Sequence, residues 1–399
     1  MLAPTSASRN DHTQHAGSPA PARARNRFDR MEWAGAFGDL GTLIPFVVAY
    51  IAVVKVDPFG ILFSFGLALV AVGFYYRTPF PVQPMKAIGA VAATQAAQTA
   101  VITSATVCGA SLVTGVAWLV LGATGAAKYV ARWIPRYVAI GIVLGLGVGF
   151  MLEGIKRMHD DWVMAGVGLV GTLLILTNRV VPAMFALLLF GGVCGVFEHP
   201  GLLHTVTASR VELHWPQFAL ASLTWHDLWV AAAFLALPQL PLTLGNAVVA
   251  IREENNRLFP DRAVSENQIA TSMGLMNLAG AAIGGIPMCH GAGGMAGHVA
   301  FGARTGGASI ILGSVLLGLA LFFSNSVNAL FALFAVPVLG VILFLTGAQL
   351  ALGSCDFSKD KGERFITLTT AAFCLWNVGL AFVAGMVFSC LRRRGLLRL

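Results

Sequence analysis

Two short segments of the chain, at 78–87 and 284–297, interrupt apolar surroundings with proline, the first together with a single lysine and the second together with several glycines. In the first, three prolines keep the chain extended, because proline disfavours the helical conformation for the residue before it. Pro84 also suits the first turn of a helix, and Lys86 follows closely. In the second, Pro287 precedes a glycine-rich run. Each segment predicts an extended piece leading into a short helix, and two such helix starts could bind an anion through free N–H groups and positive dipole ends.

We expect the anion to contact the backbone at both helix starts. The candidate binding residues are Gln83, Met85, Lys86, Ala87, Gln239, His290, Gly291, Ala292, Gly293 and Gly294. Gln239 lies between two prolines in a third interrupted segment, 237–246, and could donate a side-chain N–H. One lysine neutralises half of a dianion, and the two helix starts supply roughly half a positive charge each. The second helix start therefore needs no lysine of its own.

The composition places these segments in a membrane protein. Of the 399 residues, 57% are hydrophobic and 11% are charged, whereas about a quarter of the residues of a soluble domain carry a charge. The 45 glycines are also typical of transmembrane helices. This balance excludes a soluble enzyme, a DNA-binding protein and a disulfide-stabilised secreted domain. The six cysteines show no CxxC spacing, and no metal or cofactor is expected.

Long uncharged stretches mark the predicted spans, which need roughly 20 residues each to cross the hydrocarbon core. A polar tail at 1–30, expected to be disordered and cytosolic, precedes a first half at 31–197. A connector at 198–226, a second half at 227–391 and a basic cytosolic tail at 392–399 follow. The predicted segments are 33–53, 58–76, 84–100, 101–123, 126–153, 162–177 and 180–197, then 227–251, 267–284, 288–302, 306–323, 325–335, 337–353 and 364–391. Seven segments in each half indicate an internal duplication with inverted halves.

The basic residues predict the orientation. With the N-terminus inside, 18 Lys and Arg residues fall on the cytosolic side and 7 on the other, the latter including those at 359–364. Because basic loops stay in the cytosol, this bias predicts that both termini are cytosolic and that the number of crossings is even.

Lys86 is left over inside a predicted span. A charged side chain in a membrane is costly and usually functional, although Lys86 could instead pair with Asp39 or reach the membrane surface. Asp39 lies in a fourth interrupted segment, 35–45. Either Asp39 or Glu32 could carry a coupling proton, with Asp39 the preferred candidate, or could satisfy a broken helix end.

Two histidines of the second half have a simpler interpretation. His290 and His298 are best interpreted as neutral, hydrogen-bonded side chains packed between helices. Together with Cys289 they could be imagined as metal ligands, but two of the three are sequence neighbours and no fourth ligand is apparent.

Four motifs of the chain resemble the molybdate transporter family, a branch of the sulfate permease superfamily. They lie at 35–45, 81–87, 287–294 and 301–306, and the resemblance extends from about residue 30 to the end. It implies an all-α polytopic membrane protein with a seven-plus-seven inverted-repeat transporter fold. Segments 1–4 and 8–11 would form a core domain, and segments 5–7 and 12–14 a gate domain. The short tail leaves no room for the C-terminal STAS domain that sulfate permeases usually carry.

The resemblance implies a secondary transporter of a tetrahedral oxyanion, with molybdate the first candidate, sulfate the second, and tungstate a further substrate. It would work by alternating access, in the inner membrane if the protein is bacterial, and a homodimer stays an open question. The absence of a GxxxxGK[ST] pattern gives no sign of ATP-driven transport. The alternatives are an anion channel or a membrane-embedded sensor, and more remotely an enzyme, for which no nucleophile–base pair emerges.

Overall fold

The computed structural model describes residues 25–94, 101–130, 135–175, 183–198, 212–332, 335–352 and 357–396, which are predominantly helical. The first half contains, in order, α1 (Arg30–Ala36), α2 (Leu40–Ala49), α3 (Pro58–Tyr76), β1 (Gln83–Pro84), α4 (Lys86–Thr94), α5 (Ser104–Thr124), α6 (Ala127–Val130), α7 (Arg136–Met158), α8 (Trp162–Ile175) and α9 (Ala183–Glu198). The second half contains α10 (Trp225–Val230), α11 (Leu237–Leu242), α12 (Ile251–Leu258), α13 (Glu266–Ala282), β2 (Met288–Cys289), α14 (Ala292–Ala300), α15 (Gly307–Ala332), α16 (Val336–Leu352), α17 (Lys361–Trp376) and α18 (Val378–Arg393).

The first segment of each half is helical but irregular. In the first half a 3-10 turn, Phe37–Asp39, joins α1 to α2, and a π-helical turn, Tyr50–Val54, follows α2. In the second half, π-helical stretches at Ala231–Ala236 and Thr243–Ala250 flank α11. Such stretches replace the regular hydrogen bonds between residues four apart with bonds between residues three or five apart, and they often occur at functional sites. The interruptions that Pro and Gly predict are therefore present, but as 3-10 or π-helical stretches within a continuous helical segment.

Helices of the two halves pack in pairs through glycine. At the α3–α15 crossing, a Cβ on Gly66 would meet the carbonyl oxygen of Gly313 at 2.8 Å, and one on Gly313 would meet that of Gly66 at 2.7 Å. Helices α7 and α16 cross in the same reciprocal way at Gly154 and Gly340, where both distances are 2.6 Å. Only a glycine lets the backbones approach so closely. These crossings hold each half against the other.

The two extended pieces meet as an antiparallel pair, which confirms the prediction that each leads into a short helix. Gln83 lies opposite Cys289 and Pro84 opposite Met288. Buried Asn277 of α13 supports this pair, because its Oδ1 accepts the Met288 N–H at 2.8 Å and its Nδ2 donates to the Met288 carbonyl at 2.7 Å. Helices α4 and α14 therefore begin from one fixed crossing point.

Three predicted boundaries are wrong. The spans expected at 306–323 and 325–335 form the single helix α15, since Ser324 and Asn325 continue the helix. The span expected at 126–153 is displaced to α7, which begins after Pro135. The tail expected to reach residue 30 is already attached to the body at Asn26, whose Nδ2 donates to the Gly73 carbonyl at 3.1 Å.

The span predicted at 364–391 is also wrong, because it is a helical hairpin. Asn377 has an extended backbone that ends α17, and its side chain caps α18 by accepting the Leu380 N–H at 2.9 Å. At the open end, Arg392 pairs with Asp360 at 2.9 Å and Glu363 at 3.0 Å. Residues 359–364 therefore lie on the same side as the basic tail, and the predicted bias rises from 18:7 to 21:4. The merger at α15 and the division at Asn377 offset each other, so the expected seven segments in each half stay a prediction.

Four of the described helices are long and apolar enough to cross a membrane on their own, namely Pro58–Tyr76, Ser104–Thr124, Arg136–Met158 and Gly307–Val327. A bent pair, Trp225–Leu240 with Thr243–Leu258, adds a fifth if it forms one span with its 50° bend. The other segments are shorter than the predicted spans, and α4 and α14 have nine residues each.

Candidate functional site

Three backbone donors at the start of α4, those of Met85, Ala87 and Ile88, are already engaged by protein groups. The Met85 N–H donates to the Pro287 carbonyl at 2.9 Å, as part of the strand crossing. The N–H groups of Ala87 and Ile88 both donate to Oε1 of Gln239, at 2.8 and 3.2 Å. A helix start normally leaves such groups without a partner inside the helix. Here a side chain from the second half satisfies them.

Gln239 is fixed in this position. Its side chain is almost fully buried, and its Nε2 donates to the Thr243 hydroxyl at 2.8 Å. Because only the oxygen of the amide can accept from N–H groups, the orientation of the side chain is determined. The sequence led us to expect that Gln239 would donate to a ligand, and the structure instead presents its oxygen to α4.

Lys86 is the first residue of α4 and is partly buried. Among the residues whose side chains the structure describes, no carboxylate pairs with its ammonium group. The Asp39 side chain lies outside that part, so its expected roles as coupling carboxylate and as partner of Lys86 stay predictions. The Asp39 backbone lies in the 3-10 turn, where a Cβ on neighbouring Gly38 would meet the Gly297 carbonyl of α14.

The start of α14 differs from that of α4. Gly291 precedes the helix and offers no side chain to cap it, and the Gly294 N–H turns back to the Gly291 carbonyl at 3.0 Å. A Cβ on Gly291 would fall on Oε1 of Gln83 and lie 3.4 Å from Nδ2 of Asn246. Gly293 is exposed, and a Cβ there would have no atom within 4 Å. This helix start therefore faces open space, with Ala292 and Gly293 in its first turn.

Asn246 is a residue that the sequence reasoning missed. It follows Gln239 by seven residues in the irregular segment that contains α11. One segment of the second half thus places an amide side chain beside each helix start, Gln239 at α4 and Asn246 at α14. The sequence does contain a signal for Asn246. It lies seven residues after Gln239, and because seven residues make two helical turns, both amides are expected on one helix face.

His290 supports the crossing through its ring. Its Nδ1 is 2.8 Å from the Pro81 carbonyl, to which it must donate, so Nε2 is the acceptor in the 2.8 Å contact with the Ser272 hydroxyl. Tyr76 contacts the same hydroxyl at 2.7 Å, and Phe80 packs edge-on against the ring. The expected neutral, packed histidine matches these contacts. The side chain thus serves the scaffold, while the His290 backbone lies next to Gly291.

Two other groups predicted from the sequence have structural partners. Glu32 is buried and caps α15, accepting from Thr305 N–H at 3.0 Å and Ala308 N–H at 3.2 Å. His298 donates from Nδ1 to the Gly35 carbonyl at 2.8 Å. Within the described ranges, no three His, Cys, Asp or Glu side chains cluster closely enough to hold a metal ion.

A separate cavity of about 600 Å³ lies at the N-terminal end of α3. Polar side chains that line it include Lys55, His214, Gln217 and Ser324. The connector closes over it, since the His214 N–H donates to the Leu321 carbonyl of α15 at 2.9 Å. None of the residues predicted to bind the anion lines this cavity.

Solved structures define the class of fold. The transmembrane domain of a cyanobacterium bicarbonate transporter, BicA, matches with a TM-score of 0.67 at 14% identity, covering 91% of this chain and 98% of that one. The murine solute carrier 26 family member A9, an anion transporter in the inward-facing state, matches with a TM-score of 0.67 at 12% identity, covering 94% and 70%. The chain therefore shares its fold with these two membrane transporters.

Sequence comparison specifies the family. The model of the family described as "Molybdate transporter of MFS superfamily" matches residues 31–150 and 231–350. Molybdate transporter 2 of Arabidopsis thaliana is 30% identical over 89% of this chain and 86% of its own length. Molybdate transporter 1 of Chlamydomonas reinhardtii is 28% identical over 94% of both. The chain belongs to the molybdate transporter family, as its motifs predicted. It is a multi-pass integral membrane protein of anion transport and not an enzyme.

Proposed function

We propose that the protein is a secondary transporter of a tetrahedral oxyanion, with molybdate the first substrate and sulfate the second, bound between the starts of α4 and α14. The observation that carries this proposal is the crossing of β1 and β2, from which two helices begin, with Lys86 at the first of them. The names of the relatives favour molybdate within the class of oxyanions.

The charges at this site suit a dianion. Lys86 contributes one positive charge, and each helix start contributes roughly half a charge. The Lys86 N–H and the Ala292 and Gly293 N–H groups have no partner among the described residues, so they remain available to oxygen atoms. A dianion in a membrane would otherwise carry a large desolvation cost. The arrangement therefore supplies both the charge and the hydrogen-bond donors that such a ligand needs.

The position of the site suits alternating access. Helix α4 packs against α7, and α11 packs against α7 and α18. In the proposed division, α4 and α11 belong to the core domain, whereas α7 and α18 belong to the gate domain. A substrate bound at this boundary would be exposed to one side or the other as the core moves against the gate. The 21:4 distribution of basic residues supports a cytosolic position for both termini.

Competition uptake tests this proposal. Purified protein is reconstituted into liposomes, and uptake of labelled molybdate is measured against excess unlabelled tungstate, sulfate and uracil. We expect saturable uptake that tungstate suppresses strongly, sulfate suppresses less, and uracil leaves unchanged. Uptake that does not saturate would indicate a channel, and uptake that only sulfate suppresses would make the protein a sulfate permease.

A further inference from the structure

Gln239 occupies the place at α4 that an oxyanion oxygen would take. Its Oε1 accepts two successive N–H groups of the first helical turn, at 2.8 and 3.2 Å. This is how an oxygen of a bound anion contacts a helix start. The amide is neutral, whereas the proposed substrate carries two charges, so the two acceptors differ in strength.

We propose that Gln239 is an internal substitute for the substrate, which satisfies α4 in the empty carrier and is displaced when the anion binds. This inference rests on the proposed function of the same site. It reverses the role that the sequence suggested, because the residue serves the carrier when the ligand is absent. Gln239 is thus a positioning residue, which holds the start of α4 while the empty carrier returns to the side where it binds substrate.

The reason lies in the cost of unpaired donors. The Ala87 and Ile88 N–H groups belong to residues with no exposed surface, and a buried N–H without a partner is strongly unfavourable. A carrier that moves between its two states without substrate must keep these donors satisfied. Gln239 provides the acceptor, and Thr243 keeps the amide aligned through the 2.8 Å hydrogen bond from Nε2.

Displacement is favoured by charge. Hydrogen bonds from N–H groups to an anionic oxygen are about twice as strong as those to a neutral one. The dianion therefore replaces the amide oxygen at α4, and the Gln239 side chain moves away from this helix start. Since π-helical stretches flank α11 on both sides, the segment has irregular turns next to Gln239 at which it can adjust.

Two transport modes separate this role from that of an ordinary ligand contact. Exchange, with molybdate on both sides of the membrane, needs only the loaded carrier to move, whereas net uptake into empty liposomes also needs the empty carrier to return. In Gln239→Leu we expect net uptake to fall about tenfold, the effect of losing a helix cap, while exchange stays within about twofold. The control Gln349→Leu, which removes an exposed glutamine of α16, should change neither mode. A parallel fall of both modes, or no change in either, would overturn the inference.

A second variant keeps the test decisive if Gln239→Leu fails to fold. Gln239→Glu places a stronger acceptor at α4, so the half-saturating molybdate concentration should rise, and rise further as the pH increases and the carboxyl ionises. An unchanged concentration at every pH would refute the substitute role. Lys86→Ala is measured alongside: if it still binds molybdate, the proposed site itself fails. If it does not bind, and Gln239→Leu shows no separation of the two modes, only the inference about Gln239 fails.

Discussion

The starts of α4 and α14 are related by the strand crossing, yet they differ in what occupies them. At α4, Lys86 supplies a charge and Gln239 satisfies the Ala87 and Ile88 N–H groups. At α14, the residues are glycine and alanine, and Gly293 faces open space. One helix start is thus charged and closed by the protein, and the other is neutral and accessible.

This difference suggests a division of labour between the two halves of the molecule. In the proposed mechanism, the α4 start attracts the anion through Lys86 and exchanges the Gln239 oxygen for a ligand oxygen. The α14 start would receive the ligand without having to displace a side chain first. A site with two closed ends would bind slowly, and one with two open ends would leave buried donors unpaired in the empty carrier.

The largest effect is expected from removing the charge at α4. Lys86→Ala should abolish saturable molybdate uptake, since a charged hydrogen bond contributes about 1.5 to 3 kcal/mol, or roughly 10- to 100-fold in affinity. The matched control is Lys156→Ala, which removes a lysine with 76% of its side chain exposed. Binding by the Lys86 variant equal to that of the parent would mean that the two helix starts do not differ in charge function.

A smaller effect is expected at the start of α14. A variant of Gly293 tests whether the ligand occupies the open space there. Gly293→Ala should weaken molybdate uptake about tenfold, because the new methyl group enters the space of the anion and costs one or two hydrogen bonds. It meets no protein atom within 4 Å, so the protein should fold normally. Thermal unfolding in detergent checks the folding, and uptake checks the binding.

The control for this variant must also be a glycine with free space. Gly318 of α15 has no atom within 4 Å of an added Cβ, and Gly318→Ala should leave uptake within about twofold of the parent. Gly313 of the same helix is unsuitable as a control, because its Cβ would collide with the Gly66 carbonyl of α3. Equal, mild effects at Gly293 and Gly318 would assign the glycines of α14 to helix packing.

The backbone scaffold of the proposed site could be predicted because proline and glycine act locally. Pro84 and Pro287 predict the extended pieces, and the small residues after them predict the short helices, both of which the structure contains. The role of Gln239 could not be predicted in this way. The residue type shows that an amide is present, but only the fold determines whether its oxygen or its nitrogen faces α4.

Tertiary contacts also explain the other differences. Ser324 and Asn325 suggest a break by their polarity, but they are tolerated within the continuous helix α15. Asn377 ends a helix because its side chain caps the next one, a function that its apolar surroundings conceal in the sequence. Glu32 looks like a candidate for proton transfer until its three backbone partners at the start of α15 are known.

A moderate effect is expected from changing the two carboxylates of the first segment, Asp39 and Glu32. These variants test which of them carries a coupling proton. Asp39→Asn should remove the pH dependence of molybdate uptake if Asp39 carries the coupling proton. Glu32→Gln should keep that dependence and lower the melting temperature, because the buried carboxylate accepts from backbone N–H groups in the native protein. Full pH dependence in Asp39→Asn would exclude Asp39 as the proton carrier.

The mildest variants test the membrane topology of the second half, which contains the open helix start. Single cysteines at Arg262, Lys359 and Arg393, in a background without the native cysteines, should transport normally. We expect an impermeant reagent to leave all three unlabelled in intact cells and to label them in inverted vesicles. Labelling of the Lys359 position alone in intact cells would contradict the hairpin of α17 and α18.

The most direct test of the central claim is the position of the ligand itself. Crystals grown with molybdate would reveal the metal through its anomalous scattering. We predict one peak between the start of α4 and the start of α14, near Lys86 and Gly293, with the Gln239 oxygen moved away from the Ala87 N–H. A peak in the cavity beside Lys55, with Gln239 still bound to α4, would contradict the account.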